Sequence, residues 1–261
     1  MEFLNDVLVQ PFADMAAAPD FLLQVLWEGL VGGVLYALIA LGFVLIYKSS
    51  RIFNFAQGIM VVFAALTLVG LYEKGVPALL ALPLTLVVML ILAMTIERVV
   101  LRPLVNQPDI ILFMATIGIT LFLIGFGELI FGGENKVMIT EQLFIPTGSI
   151  VFEPFGGFVS IEEKDLTAVI GAMVLVAALL VFLNKSKIGR AIRALGDDHQ
   201  AALSVGISLS TIWVIVWFIA GVIALATGIV WGARAGVSFA LEVIAFKALP
   251  VLILGGFTSI P

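Results

Sequence analysis

The sequence predicts an all-α integral membrane protein, and three observations support this fold class. Of the 261 residues, 62% are hydrophobic and only 12% are charged, whereas a water-soluble domain is typically about 25% charged. The mean hydropathy is +1.22. The apolar residues are gathered into stretches near the ~20 residues that a helix needs to cross a hydrocarbon core of about 30 Å. We therefore expect one transmembrane domain over residues 1–261.

Apolar stretches follow one another along the chain and predict about seven transmembrane helices. They cover approximately residues 21–47, 52–72, 77–96, 110–131, 166–183, 211–231 and 241–258. Between the fourth and fifth stretches lies the one sizeable hydrophilic insert, about residues 132–165. It contains the Gly- and Pro-bearing run "PTGSIVFEPFGG" and predicts a small external loop or hairpin.

Basic residues alternate between the two sides of this arrangement and predict its orientation, because cytoplasmic loops carry an excess of Lys and Arg. With an external amino terminus, the cytoplasmic connections hold Lys48, Arg51, Arg98, Arg102, Lys185, Lys187, Arg190 and Arg193. The external connections then hold only Lys74, Lys136, Lys164 and Arg234. The bias favours an external amino terminus.

Several classes of function are excluded or disfavoured. The net charge of −5 argues against nucleic acid as a partner, because phosphate binding needs a clustered cationic face. The chain has no cysteine and a single histidine, His199. It also lacks the phosphate-loop, zinc-protease and serine-hydrolase motifs. We therefore expect no catalytic residue, no metal site and no cofactor in this chain.

The longest cytoplasmic connection, about residues 184–210, contains "GRAIRALGDDHQAALSVGI". As a helix, it would place small residues on one face with charges beside them, which suits docking into a groove of another protein. Gly206 would then let the backbone turn back toward the bilayer. By periodicity alone, an amphipathic helix lying on lipid headgroups is an equal alternative.

Polar residues stand at the head of the second apolar stretch, in "NFAQG" at 54–58. Inside a membrane an amide must find a hydrogen-bond partner, so Asn54 and Gln57 should face protein or water. Gly58 would let a neighbouring backbone approach. A helix through this region would put Ser50, Asn54 and Gly58 on one face, whereas a break would expose backbone amides, as in many transporters.

Lys247 lies inside the last apolar stretch. An unpaired ammonium deep in a bilayer costs at least about 2.5–3.5 kcal/mol, so this residue needs a partner or an aqueous cavity. It could also reach the interface by snorkelling, toward Glu242.

Four ordered motifs resemble the permease subunits of bacterial ABC importers for branched-chain amino acids and urea. They are "NFAQG" at 54–58, "IERVVLRP" at 96–103, "GRAIRALGDDHQAALSVGI" at 189–207 and "FKALPVLILGGFTSIP" at 246–261. The resemblance implies that the third motif is an ATPase-coupling segment, with Gly189, Arg190, Arg193, Asp198, Ala202 and Gly206 at the matching places. It also implies that Asn54, Gln57, Gly58 and Lys247 lie near the translocation path. Many relatives have Gly-Glu where this chain has Gly58-Ile59, so path lining and simple helix packing both stay open for the residues at 54–58.

The same resemblance implies partners: a second permease subunit, two ATP-binding subunits that hold ATP and Mg, and an external solute-binding protein. It implies a further membrane helix beyond Pro261 in full-length relatives. The expected function is import of a small polar solute, with apolar amino acids as the first substrate class and urea, amides and small organic acids as others. The alternative is a self-sufficient ion- or proton-coupled carrier, although the predicted spans are poor in the carboxylates that such carriers commonly use.

Overall fold

The computed structural model describes residues 7, 9–51, 53–105, 107–154, 157–197, 202 and 204–256. Its α-helices are α1 (Gln10–Ala17), α2 (Pro19–Ser50), α3 (Gln57–Glu73), α4 (Ala78–Thr95), α5 (Asp109–Phe131), α6 (Glu163–Lys185), α7 (Lys187–Asp197), α8 (Leu209–Ala235), α9 (Val243–Lys247) and α10 (Leu249–Gly255). Helix α4 continues as a π-helical turn (Ile96–Leu101) and a 3-10 turn (Arg102–Leu104). Further 3-10 turns span Glu141–Leu143 and Phe239–Glu242.

Five helices in the described part of the chain are long and apolar enough to cross a membrane. They are α2, α4 with its continuation to Leu104, α5, α6 and α8. This agrees with an all-α membrane protein, but the predicted number of seven is not confirmed. The second apolar stretch forms α3, which has only 17 residues. The seventh is divided among a 3-10 turn, α9 and α10, with Pro250 in the first turn of α10.

Helix α3 forms the centre of the bundle and contacts α2, α4, α5 and α8. Its residues from Gln57 to Gly70 are all buried. Helix α8 approaches it closely at Gly228, where an added Cβ would lie 2.7 Å from the carbonyl oxygen of Val61. The outer faces of α4, α5 and α6 instead expose large apolar side chains, such as Leu129 at 82% and Phe122 at 64%. Such faces suit contact with lipid rather than water.

At one end of the bundle, which we call the Arg51 end, α7 packs against the end of α2. The guanidinium of Arg51 donates from Nε and Nη2 to the carbonyl oxygen of Gly196, at 3.1 and 2.8 Å. Arg102 Nη2 donates to Ser210 Oγ, in the first turn of α8, at 2.7 Å. The side chain of Arg102 also binds Glu97, which is only 3% exposed.

At the opposite end, which we call the Arg234 end, the last turn of α8 meets the first turn of α6. Arg234 Nε lies 3.3 Å from Asp165 Oδ1, although this oxygen receives no well-directed hydrogen bond from the described residues. Strands β1 (Ser149–Phe152) and β2 (Val159–Glu162) form an antiparallel hairpin at this end. The predicted alternation of basic residues therefore corresponds to two physical ends of one bundle.

Candidate translocation site and coupling segment

The polar residues at 54–58 lie at a break between two helices. Helix α2 ends at Ser50, and Arg51 then adopts a left-handed conformation with φ 59°. Helix α3 begins only at Gln57. Of the two predicted alternatives, a continuous helix and a break, the structure shows the break. Asn54 therefore lies in the connection, outside both helices.

The side chain of Asn54 satisfies the backbone of this break. Its Oδ1 accepts a hydrogen bond from the amide nitrogen of Ala56 at 3.0 Å. Its Nδ2 lies 3.4 Å from Gln57 Oε1 and 3.7 Å from Met60 Sδ. Because Asn54 is fully buried, these bonds replace the hydration that it loses.

Gln57 is also fully buried, but its Nε2 has no hydrogen-bond partner among the described residues. The amide group packs against Gly42 of α2, where an added Cβ would lie 2.2 Å from this nitrogen. A buried donor without a partner costs about 1–3 kcal/mol. Among the described residues, Gln57 Nε2 is therefore a buried donor that is available for a further hydrogen bond.

Thr116 of α5 holds the break from a second side. Its Oγ1 lies 3.3 Å from the amide nitrogen of Phe55, 3.3 Å from the carbonyl oxygen of Phe53 and 2.8 Å from that of Phe113. Sequence reasoning missed both Thr116 and Gly42. A threonine and a glycine in apolar stretches are common, and nothing in their spacing relates them to Asn54 or Gln57.

Aromatic rings surround the break. The ring centroids of Phe53 and Phe43 lie 5.0 Å apart, and those of Phe55 lie 4.7 Å from both Phe53 and Phe113. Phe246 of α9 lies 6.4 Å from Phe55. Aromatic contacts at these distances stabilise the arrangement beyond simple area burial. The two amides thus lie inside an apolar enclosure and are closed off from water in this conformation.

Gly58 brings the last described segment onto α3. A Cβ added at Gly58 would lie 2.7 Å from the carbonyl oxygen of Glu242 and 2.8 Å from Ala245 Cβ. The predicted close backbone approach at Gly58 is therefore present, and its partner is the turn before α9.

Lys247 lies at the end of α9 and is exposed on the surface of this chain. The ion pairs of the described residues do not include Lys247, and Glu242, its predicted partner, is not among their carboxylates. The structure does not bring Lys247 into contact with Asn54 or Gln57. It relates them only indirectly, since Ala245 and Phe246 of the same short helix reach Gly58 and Phe55.

The predicted coupling segment begins with α7. The amide nitrogen of Gly189 donates to Ser186 Oγ at 2.8 Å, which satisfies a free donor at the start of this helix. A Cβ at Gly189 would lie 2.1 Å from the carbonyl oxygen of Leu183, so α7 turns sharply off α6. Ile192 and Leu195 are fully buried and fix the helix to the bundle.

Some positions of the coupling segment are exposed, and others are buried or bonded within the bundle. Arg190 is exposed, whereas Arg193 Nη1 donates to Asn184 Oδ1 at 2.8 Å. Ala202 is only 3% exposed, so it contacts its own bundle rather than the surface. Gly206 has φ 84° and forms the predicted turn, beside Val205, which is 75% exposed. Asp198 and His199 lie outside the described residues.

The chain is similar to known permease proteins. A family model described as the permease component of branched-chain amino acid transport systems matches residues 25–261. The chain is 30% identical over 257 residues to the high-affinity branched-chain amino acid permease protein BraD of Pseudomonas aeruginosa, covering 92% of this chain and 80% of that protein. It is 28% identical over 254 residues to the permease protein LivH of Escherichia coli K12, covering 92% and 81%.

A protein of Methanocaldococcus jannaschii is also similar to this chain. The chain is 31% identical over 209 residues to a probable LivH permease of Methanocaldococcus jannaschii, covering 75% of this chain and 62% of that protein. No solved structure matches the chain with significance. The family model covers most of the chain, including all four motifs, and the chain therefore belongs to the family of branched-chain amino acid transport permease components.

Proposed function

We propose that this chain is the transmembrane permease subunit of an ATP-driven importer that moves branched-chain or other apolar amino acids into the cytoplasm. Its relatives are named as branched-chain amino acid permeases, which supports this substrate class. The proposed partners are a second permease subunit, two ATP-binding subunits that hold ATP and Mg, and an external solute-binding protein. The proposed location is the inner membrane of a bacterium.

One observation carries the proposal: the buried amides and the amphipathic helix α7 lie at the same end of the bundle. Arg51, three residues before Asn54, contacts Gly196 near the end of α7. A partner ATPase that pushed or pulled α7 would therefore act close to the break. Arg190, Val205 and Gly206 are exposed at this end and form the proposed contact with the ATPase.

The proposed translocation path passes Asn54, Gln57 and Gly58. Gln57 Nε2 has no partner among the described residues, which supports this role, because a donor able to bind a carboxylate or a water is held inside an apolar enclosure. Lys247, which is exposed at the end of α9, is proposed to lie beside the path in the assembled pair of permeases.

Reconstitution tests the energy source. The chain would be co-purified with the permease, ATPases and solute-binding protein encoded beside it, placed in liposomes, and assayed with radiolabelled leucine. We expect uptake to require ATP and the solute-binding protein. Leucine uptake by this chain alone, driven by a proton or sodium gradient, would instead support the secondary-carrier alternative.

Cysteine labelling tests the orientation, since the natural chain has no cysteine. The proposed external amino terminus puts the hairpin residue Ser149 outside and Ser186 inside. An impermeant thiol reagent applied to intact cells should label Ser149→Cys and spare Ser186→Cys. The reverse pattern would invert the proposed topology.

A further inference from the structure

The contact between Arg51 and Gly196 joins two segments that are 145 residues apart in the sequence. Both Nε and Nη2 of the guanidinium donate to one carbonyl oxygen, at 3.1 and 2.8 Å. Hydrogen bonds from a charged donor are stronger than those between neutral groups. Because the acceptor is a backbone atom, a displacement of α7 at Gly196 displaces the acceptor itself.

The backbones also meet directly at this point. A Cβ added at Gly196 would lie 2.1 Å from the carbonyl oxygen of Lys48. Helix α7 therefore rests on the last turns of α2, one turn before the break begins. Only glycine at 196 allows this approach.

Arg51 has a backbone conformation that is unusual for its type. Its φ of 59° is left-handed, which costs a non-glycine residue about 1–2 kcal/mol. Its amide nitrogen caps α2 by donating to the carbonyl oxygen of Tyr47 at 2.8 Å. Capping needs only the backbone, and glycine would provide it without strain. The cap therefore does not explain why this position carries a guanidinium group.

The segment that follows Arg51 is held at two points by different elements. Arg51 attaches its beginning to α7, while the amide nitrogen of Phe55 attaches its middle to Thr116 of α5. Asn54 lies between these two attachments, and α3 begins at Gln57, two residues after the second. A relative movement of α7 and α5 therefore acts on the turn that encloses the two amides.

We propose that Arg51 is a positioning residue that transmits displacement of α7 to the break between α2 and α3. This inference rests on the proposed function, in which a partner ATPase moves α7. Arg51 does not contact the solute; it acts through the backbone that carries Asn54 and Gln57. Without its guanidinium, the break is held less firmly, and a displacement of α7 no longer moves the backbone that carries the two amides.

Three variants test the role of the side chain. Arg51→Asn removes the bonds to Gly196 and keeps a residue that tolerates the left-handed conformation. Arg51→Lys retains the charge but has a single donor nitrogen in place of the guanidinium fork. Arg98→Asn is the matched control, because Arg98 is exposed at the same end and lies in the π-helical turn, away from the break.

The first measurement is hydrogen exchange of the purified subunit, which does not depend on transport. In Arg51→Asn, the amides of Phe55, Ala56 and Gln57 should exchange about tenfold faster, while those in the middle of α3 stay unchanged. Arg51→Lys should be intermediate, and Arg98→Asn should match the wild type. Exchange at 55–57 that is unchanged in Arg51→Asn, or raised equally throughout α3, would overturn the proposal. If Arg51→Asn does not fold, the same comparison between Arg51→Lys and the wild type decides.

The second measurement is the amount of leucine imported per ATP hydrolysed by the reconstituted assembly. Arg51→Asn should retain its partners and hydrolyse ATP, yet import several-fold less leucine per ATP; unchanged import per ATP would overturn the proposal. If the wild type shows no ATP-dependent uptake, the proposed function fails, and the exchange measurement still determines whether Arg51 holds the break.

Discussion

The two arginines that mark the ends of the bundle make different kinds of contact. At the Arg234 end, side chains of opposite charge join separate elements, as in the pairs Arg234–Asp165 and Lys136–Glu73. At the Arg51 end, the contact between α2 and α7 uses a backbone carbonyl as acceptor, and the nearby amides of Asn54 and Gln57 are fully buried. Glu97–Arg102 is the ion pair described at that end.

This difference separates two mechanical roles. An ion pair between flexible side chains tolerates small displacements, and when it is exposed it contributes little to stability. A bond to the backbone moves with the chain that carries it. The Arg234–Asp165 pair is therefore suited to holding helices together, and the Arg51–Gly196 contact to passing a displacement from one segment to another.

The largest effect is expected from Arg234→Met. Asp165 is only 4% exposed, so the substitution leaves a buried carboxylate without its cation, which costs about 3–5 kcal/mol. Thermal unfolding of the purified protein should show a large fall in melting temperature. The double variant Arg234→Met with Asp165→Leu removes both charges and should recover most of the loss. A single variant as stable as the wild type would show that the pair does not hold this end.

A smaller effect on stability is expected from Gly58→Val, near the Arg51 end. The new Cβ would press on the carbonyl oxygen of Glu242 and on Ala245 Cβ, at 2.7 and 2.8 Å. Overpacking of this kind costs about 1–3 kcal/mol, and it should displace α9 and lower uptake. Gly118→Val is the control, because nothing lies within 4 Å of a Cβ there. Equal melting temperatures for the two variants would contradict the close approach.

The two buried amides should respond differently to replacement by leucine. Asn54→Leu removes the acceptor of the Ala56 amide and should cost about 1 kcal/mol. Gln57→Leu removes a buried donor that has no described partner, which favours the folded state, and also the oxygen that lies 3.4 Å from Asn54 Nδ2, which opposes it. Because the two effects have opposite signs, the melting temperature should fall less than in Asn54→Leu. Uptake of leucine should nevertheless fall in Gln57→Leu. Unchanged uptake with a lowered melting temperature in both variants would make the amides structural, and the path would then be sought around Lys247.

The smallest effect is expected from Glu73→Gln at the Arg234 end. Glu73 is 47% exposed, and such pairs contribute only about 0–1 kcal/mol and weaken with salt. Melting temperatures at low and high salt should therefore differ less in the variant than in the wild type. Glu141→Gln is the control, since Glu141 is exposed and has no described ion pair. A loss as large as that of Arg234→Met would remove the distinction between buried and exposed pairs.

The helix boundaries show where sequence reasoning succeeded and failed. The fourth apolar stretch, 110–131, closely matches α5 (Asp109–Phe131), because Pro108 and Gly132 stand at its two ends. The second stretch predicts a helix from about residue 52, whereas α3 begins only at Gln57, because Phe53, Phe55 and Ala56 belong to the break. Hydropathy does not distinguish an apolar connection from an apolar helix when both are buried in protein.

The sequence by itself determined that this protein lies in a membrane, that its basic residues alternate between two ends, and that polar residues occupy positions within 54–58. These properties depend on local composition, because the cost of placing each residue in hydrocarbon is nearly independent of distant neighbours. Only the tertiary structure decided that Gly42 and Thr116 face the break and that Arg51 reaches Gly196. Such contacts join residues far apart in the chain, and their existence depends on how whole helices pack, which no local pattern of residue types records.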